Sequence, residues 1–598
     1  MSKYQDLSKE ELLKLIEKQE AELKSKKYGL VWDGEKEPEQ VVLDCENNLP
    51  ILERVTEKEI KTTDDDYNIL IEGDNYHALT VLNYTHKEKI DVIYIDPPYN
   101  TGKKDFVYND RYVDKEDGYR HSKWLNFMEK RLNLAKRLLK KNGLFVASID
   151  DNELAQLKLL MDKIFDEKTK IVTVKMSEAS GLKMGAVKKS GTIPKYKEYL
   201  VFAKLDGINN LFFDLIKKDK WDNEYNIYLD NFSEKDKDTL NNYQERSDLN
   251  NNDLVEVDKI LKKITTVSVN EKIKELNLKK DEEIDNWKFK NAWRIIRTAA
   301  SSSVKNIVDE KKSKTNQQFI SVLSKRDNIL YIAKTDYSAS SKQPRVQVIF
   351  AEDNLLSHPG DLWTDIKTTG LEGEGGVTFK NGKKPIDLIK RIIKANNNKK
   401  SLILDFFAGS GSTGHAVLDL NKEDKGDRKF ILCTYNEENG TQVKIAEEFC
   451  YPRIKNVIKG YNNKTGLNGN LQYFKTNFIK RTNSRDQVRF DLTNKCTEML
   501  CVKDNIFNLE KEAKNYKIFS SNDKKRFLCV YYSFIKNEVS DFIADIKKIN
   551  GEKNIYMFSD TKEVDVSLFQ DIENTYIEAV PEPILEIYRE LIKLNISK

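Results

Sequence analysis

Two apolar runs, each ending at an aspartate that opens an unusual turn, constrain this chain more than anything else in it. Ile90-Asp-Val-Ile-Tyr-Ile95 runs into Asp96-Pro97-Pro98-Tyr99. Far downstream, Ser401–Asp405 runs into Phe406-Phe407-Ala408-Gly409-Ser410-Gly411 and the start of a helix. An unbroken apolar run bounded by turn residues predicts a strand buried on both faces, and such strands belong to parallel sheets covered by helices on both sides. The surrounding pattern agrees. A strand is expected at Tyr67–Glu72 and a helix at His77–Thr85. An amphipathic helix follows at Trp124–Lys140, closed by Gly143, then a strand at Leu144–Ile149 and a helix at Glu153–Phe165. Strands at Ile171–Val174 and Tyr199–Ala203 flank a Gly/Lys/Ser-rich loop, Ser180–Pro194. Past 385 the alternation returns, with a helix at Ile386–Ala395, a helix at Gly414–Leu420 and a strand at Lys429–Thr434. The expected class is therefore α/β, a doubly wound and mostly parallel sheet built from two separated chain segments.

At 598 residues the chain is too long for one core. Between about 207 and 351 the composition turns to charged and Asn-rich runs with short helices, which predicts an inserted unit. The expected division is 1–60, an N-terminal extension with an amphipathic helix over 8–27; 61–206, first catalytic segment; 207–351, insert; 352–478, second segment; and 479–598, a small mixed α/β C-terminal domain. No run reaches the ~18 apolar residues of a membrane span. The first residues lack an apolar signal core, so the cytoplasm is the expected location. The six cysteines form no CxxC pair and the five histidines no zinc-spaced cluster, so no metal site is expected. A net charge of +4 does not by itself announce nucleic acid.

The second turn has the chemistry of a small-molecule seat. Gly409 and Gly411 let backbone approach a ligand, and a helix N-terminus offers free N–H groups to an anion. That anion could be a dinucleotide pyrophosphate or the carboxylate of S-adenosyl-methionine. Asp405 separates the two, because a carboxylate there repels pyrophosphate but can bind the ammonium of a methionine moiety. Aromatic Phe407 precedes the first glycine. The next strand, from Phe430, ends in Glu437, an acid able to take both ribose hydroxyls.

The first turn suits a different task. Two prolines in series fix the backbone and remove two N–H donors. Asp96 and the Pro97 carbonyl are both acceptors, able to hold the two hydrogens of an amino group and orient its lone pair. Tyr99 can stack on a planar base. Such a set suits methyl transfer to the exocyclic amine of a flipped nucleotide. A proline-stiffened turn without chemistry is the competing reading for either motif taken alone.

Asp-Pro-Pro-Tyr together with Phe-Ala-Gly-Ser-Gly resembles the amino-methyltransferases of DNA. The order of the two motifs, with an insert between them, resembles the permuted β-class. More closely, the chain resembles the modification subunit of Type III restriction–modification systems. Supporting stretches are Tyr28–Asp33, Ile95–Gly102, Asn381–Ile393 and Tyr451–Tyr461. The likeness covers about 28 to 475 and is looser in the insert and tail. It implies that Asp96, Pro97, Pro98 and Tyr99 are catalytic. It implies that Asp405, Phe406, Phe407, Ala408, Gly409, Ser410, Gly411 and Thr413 line S-adenosyl-methionine, with Glu437 on the ribose. Asp74 either holds the adenine or caps a helix. Lys384-Pro385 matches the segment that usually precedes the cofactor turn, although a lone lysine is most simply a solvated one. The activity implied is methylation of adenine N6 in duplex DNA by base flipping, in a homodimer that joins a restriction subunit with helicase and nuclease activity. N4-cytosine enzymes share the geometry, and an orphan enzyme without a restriction partner is equally compatible.

Other chemistries fit less well. None of the eleven prolines precedes a cysteine, so the nucleophile of cytosine C5 methylation is missing. No GxxxxGK[ST] loop is present for ATP. A non-catalytic DNA specificity factor would need neither motif. DNA contact is expected from Lys183–Lys195, with Lys183, Lys188, Lys189 and Lys195, and from Lys288–Thr298, with Trp293, Arg294 and Arg297. A solvated basic stretch is the alternative for both.

Overall fold

The structure, a computed structural model, describes residues 13, 16 and 39–598, apart from 103–104, 110, 167, 179–181, 219, 247, 325–327, 338–343, 380–382, 437–443, 483, 534–538, 560 and 597–598. The expected helix over 8–27 falls almost wholly outside the described residues, as do Tyr28–Asp33 and Glu437. The chain divides into two compact units, 1–213 with 360–598, and 214–359.

The first unit is organised by a ten-stranded sheet. Its strands are β1 (Asn48–Arg54), β2 (Tyr67–Glu72), β3 (Ile90–Ile95), β4 (Leu139–Ile149), β5 (Thr169–Lys175), β6 (Lys197–Lys204), β7 (Leu362–Trp363), β8 (Leu402–Asp405), β9 (Lys429–Thr434) and β10 (Asn470–Lys480). They lie in the order β1-β10-β2-β9-β8-β3-β4-β6-β5-β7. The central run from β10 to β4 is parallel throughout, and antiparallel pairs occur only where β1 and β6 join their neighbours. Alternate residues face two separate cores. Ile69, Ile71, Ile93 and Ile95 enter one, and Leu70, Val92 and Tyr94 enter the other. This two-sided burial is why β2 and β3 read as mostly apolar runs, interrupted by Asn68 and Asp91.

Helices α1 (Asn75–Thr85), α2 (Arg120–Leu138) and α3 (Leu154–Ile164) cover one face. In α2 Leu125, Met128, Leu132, Ala135 and Leu138 form the buried stripe that the sequence spacing predicts; Leu139, expected on the same face, instead opens β4, and Trp124 is buried as well. Helices α5 (Ile386–Lys394), α6 (Ser412–Asp424) and α7 (Tyr451–Lys459) cover the other face.

Two local expectations are corrected. Gly143 does not close α2, which ends at Leu138; it lies inside β4, where an added Cβ would meet the Ile90 carbonyl at 3.1 Å. Close strand approach, not helix termination, requires that glycine. The expected loop Ser180–Pro194 contains α4 (Leu182–Ser190), because Leu182, Lys183, Met184, Ala186, Lys188 and Lys189 are good helix formers that outweigh Gly185.

Past β10 the chain adds a five-stranded sheet, from Asn508–Glu512 through Thr575–Pro581 in sequence order. Its helices α8 (Thr497–Asp504) and α9 (Glu582–Ile596) share the core of α1, with Leu500 and Tyr588 in the same cluster as Leu79. The Tyr588 hydroxyl donates to the Pro50 carbonyl at 2.6 Å. The tail is thus packed onto the main sheet through a common core. The second unit, 214–359, holds a six-stranded antiparallel sheet with helices around it, not short helices alone. Among the described residues no helix is long and apolar enough to cross a membrane.

Candidate active site

β3 and β8 are far apart in sequence and hydrogen-bonded neighbours in space. They run parallel, with Val92 opposite Ile403 and Ile93 opposite Leu404. Parallel neighbours end at the same edge of the sheet, so Asp96-Pro-Pro-Tyr99 and the turn after Asp405 emerge side by side.

The turn at Asp96 is held by long-range contacts. The fully buried Trp124 donates its indole N–H to the Pro98 carbonyl at 2.7 Å. Lys384, expected beside the glycine-rich turn or in solvent, is instead buried against Asp96. Its Nζ lies 3.2 Å from Asp96 Oδ1 and 2.7 Å from Glu198 Oε2, and it donates to the Tyr99 hydroxyl. That hydroxyl stands 3.1 Å from both Asp96 Oδ1 and Glu198 Oε2. Oδ1 of Asp96 is therefore occupied, and Oδ2 has no partner among the described residues. Burial raises the Asp96 carboxyl above the usual carboxylate range; Lys384 opposes that rise and Glu198 adds to it. A cation so placed keeps the acid available in its ionised, accepting form.

The turn at Asp405 is held by backbone geometry. Asp405 accepts from the Phe407 N–H at 3.0 Å and from the Thr413 hydroxyl. Gly409 and Gly411 take positive φ, 48° and 80°. Gly411 caps α6, and a Cβ there would sit 3.1 Å from Cys450 Sγ. A Cβ at Gly409 would meet nothing nearer than the Phe407 carbonyl at 3.9 Å, so the turn leaves room at its outer side. Ala408 N–H is tied to the Cys433 carbonyl of β9 at 3.1 Å. The hydroxyls of Ser410 and Ser412 accept from the buried Arg453 guanidinium of α7, at 3.1 and 2.7 Å. Phe407 packs between Phe406 and Phe127, with ring centres 5.2 and 5.9 Å away. Burial pushes Asp405 up to about 7, and nearby Asp96 adds to the shift. Among the described residues no cation pairs with it.

Asp74 caps α1, accepting from the Tyr76 N–H at 2.6 Å, and lies 3.3 Å from Arg131. The buried Arg131 also pairs with Glu39 at 2.7 Å and donates to Asn75, whose amide donates to the Phe406 carbonyl at 3.1 Å. One buried arginine thus joins α2, the start of α1 and the glycine-rich turn. Trp124, Arg131 and Glu198 escape a reading by motif, and Arg453, though inside the stretch Tyr451–Tyr461, is given no role by it. Only the placement of a charged or indole side chain on an apolar helix face or in a strand hints at them.

The basic residues divide. Lys183, Lys188 and Lys189 lie in α4, the last two exposed; the Lys183 side chain is outside the described ones. Lys195 Nζ pairs with Asp150 at 2.6 Å and lies 5.9 Å from the Tyr99 ring centre. In the second unit Trp293 is packed against the core beside Phe232. Arg294 donates twice to the Leu229 carbonyl, at 3.1 and 2.9 Å, and Arg297 pairs with Glu224 at 2.5 Å. These three side chains are engaged inside their own unit.

A family model described as DNA methylase, of the N6/N4 type, matches residues 90–224 and 213–447. Among curated proteins, the Type III restriction-modification enzyme EcoPI Mod subunit of Escherichia phage P1 is 29% identical over 484 residues, which are 75% of this chain and 70% of that one. The StyLTI Mod subunit of Salmonella typhimurium is 27% identical over 452 residues, 70% of this chain and 59% of that one. The chain thus spans 70% and 59% of these relatives. Among solved structures, PvuII DNA methyltransferase (cytosine-N4-specific) aligns at 11% identity over 66% of this chain and 96% of that one, with a TM-score of 0.30, too low to argue from.

Proposed function

From the premise that this chain belongs to the N6/N4 DNA methylase family, we propose that it transfers a methyl group from S-adenosyl-methionine to N6 of adenine in duplex DNA. The observation that carries the reading is the pairing of β3 with β8, which brings an acceptor turn and a glycine-rich turn to one sheet edge. The residues at that edge suit the donor. Asp405 is a buried acid with no cationic partner among the described residues, fit for an ammonium; Gly409 and Gly411 leave backbone approachable; Phe407 offers an aromatic wall. When bound, S-adenosyl-methionine supplies an electrophilic methyl group.

The chain's own residues do the rest. Asp96 Oδ2 and the Pro97 carbonyl accept the two amino hydrogens of a flipped adenine, and Tyr99 stacks on its ring. Lys384 keeps Asp96 ionised, so that the amine lone pair points away from the carboxylate and the proton lost after transfer has an acceptor nearby. No covalent intermediate with the protein is needed, and positioning carries most of the rate. The exposed Lys188 and Lys189 of α4, with Lys195, track phosphates. Residues 207–351 serve as the target-recognition domain, between catalytic segments 61–206 and 352–478 in permuted order. The Mod relatives support a place in a Type III restriction–modification system; the proposal further has the chain act in the cytoplasm as a homodimer joined to a restriction subunit.

The test is nucleoside mass spectrometry of DNA from a methylation-free host carrying this gene. The reading expects N6-methyladenine at one short sequence. N4-methylcytosine would correct the base, and no methylated base, together with no donor binding by the purified protein, would refute the reading.

A further inference from the structure

Directly behind the Asp96–Tyr99 turn lies a polar group that the reaction above does not use. Asn100 follows Tyr99, is fully buried, and takes left-handed backbone with φ 55°. Its Nδ2 donates to Glu153 Oε1 at 2.6 Å and to the Arg120 carbonyl at 3.2 Å. Glu153, at the start of α3, is fully buried too. Its Oε1 lies 2.7 Å from His121 Nδ1. Arg120 Nε donates to His121 Nε2 at 3.2 Å, so that nitrogen is an acceptor and the ring proton sits on Nδ1. The imidazole is therefore neutral and brings no charge to Glu153.

Two oxygens are left over. Asn100 Oδ1 and Glu153 Oε2 are both buried, and neither has a hydrogen-bond partner among the described residues. A bare buried oxygen costs about 1–3 kcal/mol, and more on an ion. Both atoms belong to groups already joined by one bond. A proton on Oε2 makes that oxygen the donor that Asn100 Oδ1 lacks, and one protonation satisfies both.

We propose that Glu153 works as a neutral carboxylic acid paired reciprocally with the Asn100 carboxamide, and that this lock positions the catalytic turn. The functional half rests on the methyl-transfer reading; the lock itself does not. Glu153 is a positioning residue, since it acts on the turn only through Asn100.

Burial, the largest influence, pushes the Glu153 carboxyl up to about 8. The Asn100 bond and the Arg120 charge oppose this, and Asp150, itself paired with Lys195, adds to it. Neutral His121 completes the surroundings. Because the folded value lies above the unfolded one, the lock's contribution is complete in acid and is lost as pH rises through about 8.

Glu153→Gln tests the lock. Its Nε2–H can donate permanently to Asn100 Oδ1, while its Oε1 keeps both accepted bonds. The variant should keep wild-type transfer at neutral pH, escape the loss of activity as pH rises through about 8, and escape the fall in unfolding temperature that the wild type shows as pH climbs from the ordinary carboxyl range to about 8. Glu153→Ala should lower kcat at every pH with little change in the donor's KM. The lock is overturned if Glu153→Gln is as impaired as Glu153→Ala, or if wild type and Glu153→Gln share one alkaline profile. Should the wild type methylate no DNA at all, the unfolding profiles alone still decide on the lock, so its failure and that of the methyl-transfer reading are told apart.

Discussion

Asp96 and Asp405 both end a buried strand, both open a turn at the same sheet edge, and differ in what balances them. Asp96 has the ammonium of Lys384 at 3.2 Å, itself anchored by Glu198. Asp405 has only an N–H and a hydroxyl, and burial pushes it up to about 7. The first acid has its countercharge built in, and the proposed mechanism gives it the work of accepting hydrogens from a neutral amine. The second has no cation among the described residues, and the proposed mechanism seats the ammonium of the methyl donor there. On the proposed mechanism, charge balance thus separates a positioning acid from a ligand-binding acid where residue type and strand position do not.

The sharpest way to break this contrast is Asp96→Ala. Transfer at saturating donor should fall by about 10²–10³-fold, the cost of losing a preorganised polar group at the reacting centre, while calorimetry shows unchanged donor affinity. Lost donor affinity would merge the two roles. Asp405→Asn should do the reverse. It removes a charge-assisted bond of about 1.5–3 kcal/mol, so donor affinity should drop roughly 10- to 100-fold with transfer at saturation largely kept. Lys384→Met addresses the balance directly. On the proposed mechanism the active form of Asp96 is ionised, so activity should be lost as pH falls through its raised value. Without Lys384 that value rises further, and the acid limb of the pH–rate profile should move toward neutrality; an unmoved limb would deny the lysine its role. The smallest effect concerns the free Asp405. Its ionised form binds a cation, so donor affinity should rise as pH passes through about 7 and level off above, an increase absent from Asp405→Asn.

The framework of this site was legible in the sequence because apolar runs and turn residues are local signals. The strand Lys429–Thr434 and the runs that became β2 and β3 coincide with their predicted bounds. The elements that hold the turns were not legible, because each depends on a distant partner. Lys384 meets Asp96 only after α5 docks beside β3, and nothing in a Lys-Pro dipeptide distinguishes a buried ammonium from a solvated one. Glu198 lies between Lys197 and Tyr199, just ahead of the predicted strand Tyr199–Ala203, where nothing local marks it. Trp124 reads as core, which it is, while its indole N–H also fixes Pro98. In 214–359 the strands are short and embedded in charged sequence, so a six-stranded sheet passed for loops and helices. Trp293, Arg294 and Arg297 read as a basic DNA-binding stretch, and sequence does not show the contacts that these side chains make within their own unit.

The most direct measurement is a crystal structure of the protein with S-adenosyl-homocysteine, the product left after transfer. The account predicts the ligand's ammonium on Asp405 and its sulfur facing the Asp96–Tyr99 turn. A ligand bound elsewhere, or one whose ammonium sits on Asp96 with Lys384 displaced, would contradict it.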